Sequence, residues 1–373
     1  MIKKTLIVLG AFCFVLVIIY PVIKTEKIEE KTNKKKNPTR YTFQGSSNDY
    51  ISVYHNDQAE LKIIVDTSSV KKMELYYNDS LIKKWIKPKE KETFLFTPGI
   101  FGVGLKKLNI LSVLNDGEKF IDNKLVTVFS GINPEKKVTK IKKKHPHNPQ
   151  NFTQGLEFYK GELFEGTGDP GDQGNSFLAS IDLKTGTTKE RKDLGRGFFG
   201  EGITILDDRA YQLTWKNQKC FVYDLKQGFE LQKEYNYTGE GWGLCNNGEM
   251  LIMSNGTQRL TFRNPETFEI TKEIEVYNNK GPINYINELE FIQGKIYANV
   301  WTKNIVVVID PETGIVLQEI DATNLKNEGQ GFSGGVLNGI AHNKETNKTY
   351  MTGKNWSGLL EVEFVEYNRN IEE

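Results

Sequence analysis

A single carboxylate follows two aromatic rings in the stretch Phe198-Phe199-Gly200-Glu201-Gly202. A charge beside two phenylalanines costs free energy unless the carboxylate has a partner or a task. An apolar environment raises the pKa of a carboxyl group, and a raised pKa suits a group that takes up and returns protons near neutral pH. The residue types therefore predict a proton-transferring role for Glu201, with an ordinary strand start as the alternative.

Glu201 lies in a pattern that occurs five times from residue 138 onward. The segments FTQGLEF, FGEGITI, GWGLCNN, INELEFI and VLNGIAH align when one residue of each is set in register: Gly155, Gly202, Gly243, Glu288 and Gly339. Further strand-like runs follow each segment, and the period is roughly 40 to 50 residues, which is typical of β-propeller blades. We therefore predict an all-β chain with a five-bladed β-propeller over residues 137–366. The last repeat lacks a fourth strand, which the segment KVTKIKKK before the first repeat can supply.

Equivalent positions of the innermost strands form rings around the channel of a propeller. The residues just before the registered ones are Gln154, Glu201, Trp242, Asn287 and Asn338, and the residues that end the second strands are Gly168, Trp215, Gly256, Trp301 and Lys354. These types differ from blade to blade, which predicts a site for an asymmetric ligand; the alternative is a water-filled channel with a varied polar lining. Strand alternation places Phe152 and Phe199, rather than Phe198, on the same face as Gln154 and Glu201.

The composition excludes other classes of site. A net charge of +1 over 373 residues gives no reason to expect nucleic acid as a partner. His145 and His147 have no nearby cysteine and belong to a chain with four histidines, so we expect neither a metal site nor a cofactor. Asp169 and Asp172 lie in a glycine-rich segment without EF-hand spacing, which predicts a loop. Cys220 and Cys245 are expected to be buried free thiols, although the sequence does not show whether they pair.

The N-terminal segments differ from the repeats. Lys3 and Lys4 precede nineteen uncharged residues, about the length that spans a bilayer. We expect residues 1–24 to be a signal anchor, in preference to a cleaved signal peptide, because no small-residue cleavage site follows. Residues 25–40 read as a charged linker and residues 41–132 as a small immunoglobulin-like β-sandwich. The chain is then an exported monomer, held at a membrane by its N-terminal segment, with the propeller in the periplasm or at the cell surface.

Eight motifs in order resemble the glutaminyl-peptide cyclotransferases of the plant and bacterial type. They are HPHNPQNFTQGLEF, FFGEGIT, YQLTWKN, GEGWGL, NELEF, ANVW, VLNGIA and TGKNW, and the likeness covers about residues 138–366. The resemblance implies a five-bladed propeller that cyclises the N-terminal glutamine of peptides or proteins to pyroglutamate and releases ammonia, without a catalytic metal. It also implies that the family's pocket residues correspond to Phe152, Gln154, Phe199, Glu201, Trp215, Trp242, Asn287, Trp301 and Lys354.

The reaction joins the α-amine of a glutamine to its own side-chain carbonyl carbon, so the site must hold a folded conformer and move protons. Our hypothesis is that Glu201 makes both proton transfers; the alternative is that it only anchors the amine. Lys354, Gln154 and Asn287 are candidates to stabilise the amide oxygen, and Lys354 is alternatively an ion-pair partner of Glu201. The tryptophans are expected to exclude water.

Two other functions compete with cyclisation. One is a non-catalytic propeller that binds peptides or glycans through the same rings. The other is a different propeller enzyme, such as a lactonase, for which we find no metal ligands in the channel.

Overall fold

A computed structural model describes residues 38–43, 50–332 and 334–367. Within these ranges the chain consists mainly of β-strands, with one α-helix, α1 (Thr323–Gly329), and two short 3₁₀ turns, Pro98–Phe101 and Leu225–Gln227. The predicted all-β class is confirmed. The anchor predicted for residues 1–24 lies outside the described residues. No helix in the described ranges is both long enough and apolar enough to cross a membrane.

The first eight strands form two sheets around a shared apolar core. They are β1 (Thr39–Phe43), β2 (Tyr50–Tyr54), β3 (Ala59–Val65), β4 (Val70–Tyr77), β5 (Ser80–Ile86), β6 (Lys91–Phe96), β7 (Gly104–Leu114) and β8 (Lys119–Phe129). One sheet has the order β1-β3-β6 and the other the order β2-β8-β7-β4-β5. Alternating side chains of β3, β4 and β7, including Leu61, Met73 and Leu108, fill the core. The immunoglobulin-like topology and the boundaries at 41 and 132 remain predictions.

Three four-stranded antiparallel sheets follow the long strand β9 (Glu135–Pro146) in the described part of the chain. Their strands are β10 (Phe152–Tyr159), β11 (Glu162–Gly168), β12 (Phe177–Ile181) and β13 (Thr188–Asp193); β14 (Gly200–Leu206), β15 (Arg209–Thr214), β16 (Lys219–Asp224) and β17 (Glu230–Asn236); β18 (Leu244–Asn246), β19 (Leu251–Ser254), β20 (Arg259–Arg263) and β21 (Ile270–Glu275). In each sheet the strands pair in sequence order, so each sheet is a four-stranded meander.

The remaining strands form a short hairpin and an eight-stranded sheet. They are β22 (Tyr277–Asn278), β23 (Gly281–Pro282), β24 (Ile286–Ile292), β25 (Lys295–Val300), β26 (Ile305–Ile309), β27 (Val316–Asp321), β28 (Leu337–Asn343), β29 (Lys348–Gly353) and β30 (Gly358–Glu366). The large sheet has the order β24-β25-β26-β27-β9-β30-β29-β28. Lys137 to Lys144 of β9 pair antiparallel with β30, which confirms that KVTKIKKK supplies the missing strand of the last repeat.

At three of the registered glycines, Gly155, Gly202 and Gly243, neighbouring first strands approach backbone to backbone. The Gly202 amide donates to the carbonyl oxygen of Trp242 at 2.7 Å. A β-carbon on Gly202 would lie 2.5 Å from the amide nitrogen of Leu244, and one on Gly155 would lie 2.5 Å from the amide nitrogen of Ile203. Such distances leave no room for a side chain.

Glu288 occupies the registered position in which the sequence has no glycine. Its carboxylate is buried and accepts hydrogen bonds from two backbone amides, Leu156 at 3.3 Å and Ile340 at 2.9 Å. The side chain thus links β24 to both β10 and β28. The first strands that carry the rings of polar residues are therefore joined side by side.

The turn before β7 connects the eight N-terminal strands to the repeats. The Val103 amide donates to the carbonyl oxygen of Thr313 at 2.9 Å, and the Leu105 amide donates to the carboxylate of Glu275 at 2.5 Å. Val103 is buried with Tyr277 and Ile315 in a small apolar cluster. The strands before β9 therefore pack on the repeats beside β21 and β27.

Candidate active site

A cavity of about 560 Å³ collects all nine residues that the resemblance implies for the site. Its lining consists of Phe152, Gln154, Pro170, Phe199, Glu201, Trp215, Trp242, Tyr285, Asn287, Trp301 and Lys354. Pro170 and Tyr285 are the two lining residues that the sequence analysis did not single out. The side chains come from loops and strand ends of all the repeats, so the fold assembles the cavity from distant segments.

β-Bulges present the polar residues of the site. The pairing of β10 with β11 shifts between Thr153 and Gly155, which leaves Gln154 as the extra residue. The same kind of shift occurs in β14 around Glu201 and in β24 around Asn287. A bulged residue leaves the regular ladder and its side chain is re-aimed. One irregularity, repeated in equivalent strands, therefore positions three polar side chains of the cavity.

Two glycines at or just after the ends of the second strands of their repeats provide space for neighbouring aromatic side chains. A β-carbon on Gly168 would lie 2.3 Å from the ring of Phe199, and one on Gly256 would lie 2.6 Å from the indole of Trp242. Gly256 also has a φ of +78°, which favours glycine. Phe199 therefore packs against Gly168, and Trp242 packs against Gly256.

Aromatic rings line most of the cavity. Phe199 contacts Trp215 edge to face with ring centroids 5.6 Å apart, and Trp242 contacts Trp301 in the same way at 5.7 Å. Tyr285 lies 6.0 Å from Trp301. Each contact fixes the orientation of two large side chains. The cavity therefore has largely apolar walls around a few polar groups.

Glu240 holds two of these tryptophans and was missed by the sequence analysis. One of its carboxylate oxygens accepts hydrogen bonds from the indole nitrogens of Trp215 at 2.8 Å and Trp242 at 3.0 Å. Its sequence signal was weak, since it was only the acid two positions before Trp242 in GEGWGL. A side chain outside the lining thus sets the relative orientation of two adjacent repeats' indoles.

The carboxylate of Glu201 is almost completely removed from solvent. The side chain is 4% exposed, and a carboxylate oxygen accepts a hydrogen bond from the amide nitrogen of Gln154 at 3.2 Å. Burial raises the pKa of Glu201 well above its usual value, while the charge of Lys354 lowers it and that of Glu240 raises it. Burial is thus the main cause of the raised pKa of this carboxyl group.

Lys354 brings a buried cation to the same cavity. Its side chain is 6% exposed, and its Nζ atom lies 4.8 Å from the ring centroid of Phe152. Burial lowers the pKa of Lys354, and the nearby charge of Glu201 opposes that change. The cation is stabilised by the face of an aromatic ring as well as by the Glu201 charge, a combination that suits a binding site more than a salt bridge alone.

Asn338 and Asn287 complete the polar part of the site. Asn338 donates to the carbonyl oxygen of Thr153 at 3.0 Å and to the side-chain oxygen of Gln154 at 3.4 Å, so it orients the amide that contacts Glu201. The side-chain oxygen of Asn287 is buried without a hydrogen-bond partner among the described residues. A buried acceptor of this kind costs free energy unless a ligand supplies a donor.

Four other residues considered in the sequence analysis, a histidine, an aspartate and two cysteines, lie outside the cavity lining described above. His147 contacts the carboxylate of Glu165 at 3.1 Å and the carbonyl oxygen of Trp356 at 2.7 Å, inside the protein. Asp169 accepts hydrogen bonds from three backbone amides of its own loop. Cys220 and Cys245 are buried and free, which confirms the reading of both as unpaired thiols.

The sequence model of the glutamine cyclotransferase family matches residues 121–364 of this chain. The chain belongs to this family.

The relatives of this cyclotransferase chain include a plant and a bacterial protein. The glutaminyl-peptide cyclotransferase of Arabidopsis thaliana is 35% identical over 224 residues, which cover 58% of this chain and 68% of the plant protein. The crystal structure of Myxococcus xanthus glutaminyl cyclase is 36% identical and superimposes with a TM-score of 0.59, covering 63% of this chain and 100% of the bacterial one. The family match contains the whole cyclotransferase cavity and excludes the strands before residue 121.

Proposed function

We propose that this chain is a glutaminyl-peptide cyclotransferase, which converts the N-terminal glutamine of peptides or proteins to pyroglutamate and releases ammonia. The enzyme is an acyltransferase whose acceptor is the substrate's own α-amine. Family membership supports the activity. The observation that carries the mechanism is the buried carboxylate of Glu201 in a cavity with aromatic walls and a cation.

Glu201 is the proton-transfer group in this proposal. The amine nitrogen attacks the side-chain carbonyl carbon of the glutamine, so a carbon–nitrogen bond forms while the proton of the amine passes to Glu201. The bond to the side-chain NH₂ group then breaks, and Glu201 returns the proton to the departing ammonia. A carboxylate whose pKa is raised by burial accepts this proton more readily than an exposed carboxylate, and the protonated form persists long enough to return it to the leaving group.

Lys354 is the group that stabilises the oxygen of the attacked carbonyl. Three candidates were open from the sequence, and Lys354 is the one of the three that carries a positive charge. A cation in a cavity of low polarity interacts strongly with a developing negative charge. Gln154 then orients Glu201, and the side-chain amide of Asn287, in the cavity lining, contacts the substrate's amine or amide group.

The aromatic walls hold the substrate in its cyclising conformer and keep water away. A glutamine side chain folded back on its own amine is compact, and Trp215, Trp242 and Trp301 offer it flat, rigid surfaces. Water in the cavity competes with the amine for the carbonyl carbon, so its exclusion favours cyclisation over hydrolysis.

The architecture and location that go with this function are part of the same proposal. The repeats form a five-bladed β-propeller. Three four-stranded sheets and the two four-stranded halves of the eight-stranded sheet support that arrangement. The uncharged run after Lys4 supports export and membrane anchoring, with the catalytic propeller outside the cytoplasm. We further propose a monomer that works without a metal, as the family resemblance implies.

Incubation of the purified full-length chain with a dipeptide that begins with glutamine tests the activity. We expect stoichiometric ammonia and a product that no longer reacts with amine reagents, and no ammonia from the same dipeptide with an N-terminal acetyl group. Folded protein that binds the dipeptide without releasing ammonia would instead establish the non-catalytic peptide-binding propeller.

A further inference from the structure

A second cavity adjoins the proposed reaction cavity. It has a volume of about 540 Å³, and Phe152 and Pro170 line both cavities. The ring of Phe152 has the Nζ atom of Lys354 over one of its faces, so this ring lies between the proposed chemistry and the adjoining cavity. A chain that leaves the reaction cavity past Phe152 and Pro170 enters the second cavity directly.

Uncharged amide side chains dominate the polar lining of this second cavity. They come from two loops that the reaction itself does not use: Asn148, Gln150 and Asn151 before β10, and Gln173 and Asn175 between β11 and β12, with Asn355 after β29. The side chains of Gln150, Gln173 and Asn175 are exposed. An amide both donates and accepts, which matches the alternating N–H and C=O groups of a peptide main chain.

The two charged residues in the lining are engaged by groups of the protein itself. Asp169 accepts hydrogen bonds from the backbone amides of Gly171, Gln173 and Asn175. Arg191 forms an ion pair with Asp193 at 2.5 Å and stacks on the ring of Phe177 at 4.1 Å. Because both charged groups already have partners within the protein, the side-chain amides are the groups that the cavity leaves for hydrogen bonding to a ligand.

We propose that the amide-lined cavity binds the main chain of the two or three residues that follow the N-terminal glutamine of the substrate. The inference rests on the proposed function, because it takes the first residue to lie in the reaction cavity. An extended chain advances about 3.3–3.6 Å per residue, so the residues next to the glutamine are the ones that reach the adjoining cavity. Recognition by amides reads the main chain and leaves the side chains of those residues free to vary.

The test compares two neutral substrates, Gln-Ala amide and Gln-Ala-Ala-Ala amide, on the full-length chain. We expect kcat/KM to be about ten-fold higher for the longer peptide, the gain from one or two net hydrogen bonds. The double variant Gln150→Ala, Gln173→Ala removes one amide from each loop and should bring the ratio of the two values close to one. A matched control, Gln227→Ala, changes an exposed glutamine outside the cavity lining and should keep the wild-type ratio.

A binding measurement separates failure of this inference from failure of the proposed function. Calorimetry with the Glu201→Gln variant gives the dissociation constants of both peptides without turnover. A lower Kd for the longer peptide supports the subsite, even if no ammonia is ever released, provided that the difference disappears when Gln150→Ala and Gln173→Ala are added to the Glu201→Gln variant. Equal constants for the two peptides, or an equal loss on both peptides in the double variant, would overturn it while leaving cyclisation intact.

Discussion

The amide nitrogen of Gln154 lies 3.2 Å from a carboxylate oxygen of Glu201, on the first strand of the neighbouring sheet. Asn338 in turn donates to the side-chain oxygen of Gln154 at 3.4 Å. This chain of amides holds the carboxylate through neutral groups, while the charge of Lys354 lowers the pKa of Glu201 and that of Glu240 raises it. Glu201 is thus fixed in position while its pKa remains raised by burial, which is the condition for a group that must both take and return a proton.

Replacement of Glu201 by Gln should lower kcat by about 10²- to 10⁴-fold, the usual contribution of a positioned acid–base group. The variant should unfold at the same or a higher temperature, because it removes a carboxyl group whose charged form is disfavoured in the folded protein. Steady-state ammonia release and thermal unfolding check the two expectations. Glu230→Gln, at an exposed position of β17, serves as the control. Near-normal turnover would leave Glu201 only an anchor for the amine.

The pH dependence of kcat/KM should show the opposite shifts of Glu201 and Lys354. Glu201 must begin unprotonated, so activity falls as pH drops through its pKa, which lies above the usual 4.5. Lys354 must be protonated, so activity also falls as pH rises through its pKa, which lies below the usual 10.5.

The Lys354→Met variant separates these two ionisations. Removal of the cation should move the acidic limb to higher pH, because the charge of Lys354 lowers the pKa of Glu201. A profile measured between pH 4 and 10 on wild type and variant, with one substrate for both, checks this. The substrate's own amine titrates equally in both profiles, so an unmoved acidic limb would mean that Lys354 and Glu201 do not interact.

The sequence predicted the repeat and the site residues because each repeat imposes the same steric demand. At Gly155, Gly202 and Gly243 neighbouring backbones leave no space for a β-carbon, and that demand is visible as a spacing. The ring positions followed from the register. The β-bulges around Gln154, Glu201 and Asn287 were not predictable, because no particular residue type marks the extra residue of a bulge.

The hydrogen bonds from Trp215 and Trp242 to Glu240 were also out of reach of the sequence. Glu240 acts through side chains of two different repeats, and no spacing within one repeat records that contact. The positions of Glu240 and Tyr285 were nevertheless within reach. Each lies two residues before a ring residue, the offset that relates Phe152 to Gln154. The register therefore locates such residues, and what it leaves out is the contact that each makes with a neighbouring repeat.

Glu240 should matter for substrate binding more than for the chemical step. Glu240→Ala leaves two indole N–H groups without their acceptor, so Trp215 and Trp242 lose their common orientation. We expect KM to rise about ten-fold or more, since each hydrogen bond to a charged acceptor contributes about 1.5–3 kcal/mol. Glu240→Gln keeps an acceptor oxygen and should recover part of the loss.

Initial-rate kinetics and intrinsic tryptophan fluorescence of the Glu240 variants check this prediction. Glu249→Ala, which alters an exposed glutamate in a turn, provides the comparison. A fall in kcat with unchanged KM and unchanged fluorescence would contradict a positioning role.

Gly202→Ala should destabilise the protein because the new methyl group has no space. Its β-carbon would lie 2.5 Å from the Leu244 amide nitrogen and 2.6 Å from the Trp242 carbonyl oxygen, both of them backbone atoms. Forcing two first strands apart costs about 1–3 kcal/mol of the free energy of unfolding, and the shift also moves Trp242 in the cavity. Denaturant unfolding measures the cost.

Gly171→Ala is the matched control for this substitution, because the nearest atom to its β-carbon is a flexible side chain at 3.4 Å. We expect its free energy of unfolding to stay within about 0.5 kcal/mol of wild type, as for most surface substitutions. Equal stability of Gly202→Ala and Gly171→Ala would show that the first strands can separate without cost. The recurrence of glycine would then need a reason other than close packing of the backbone.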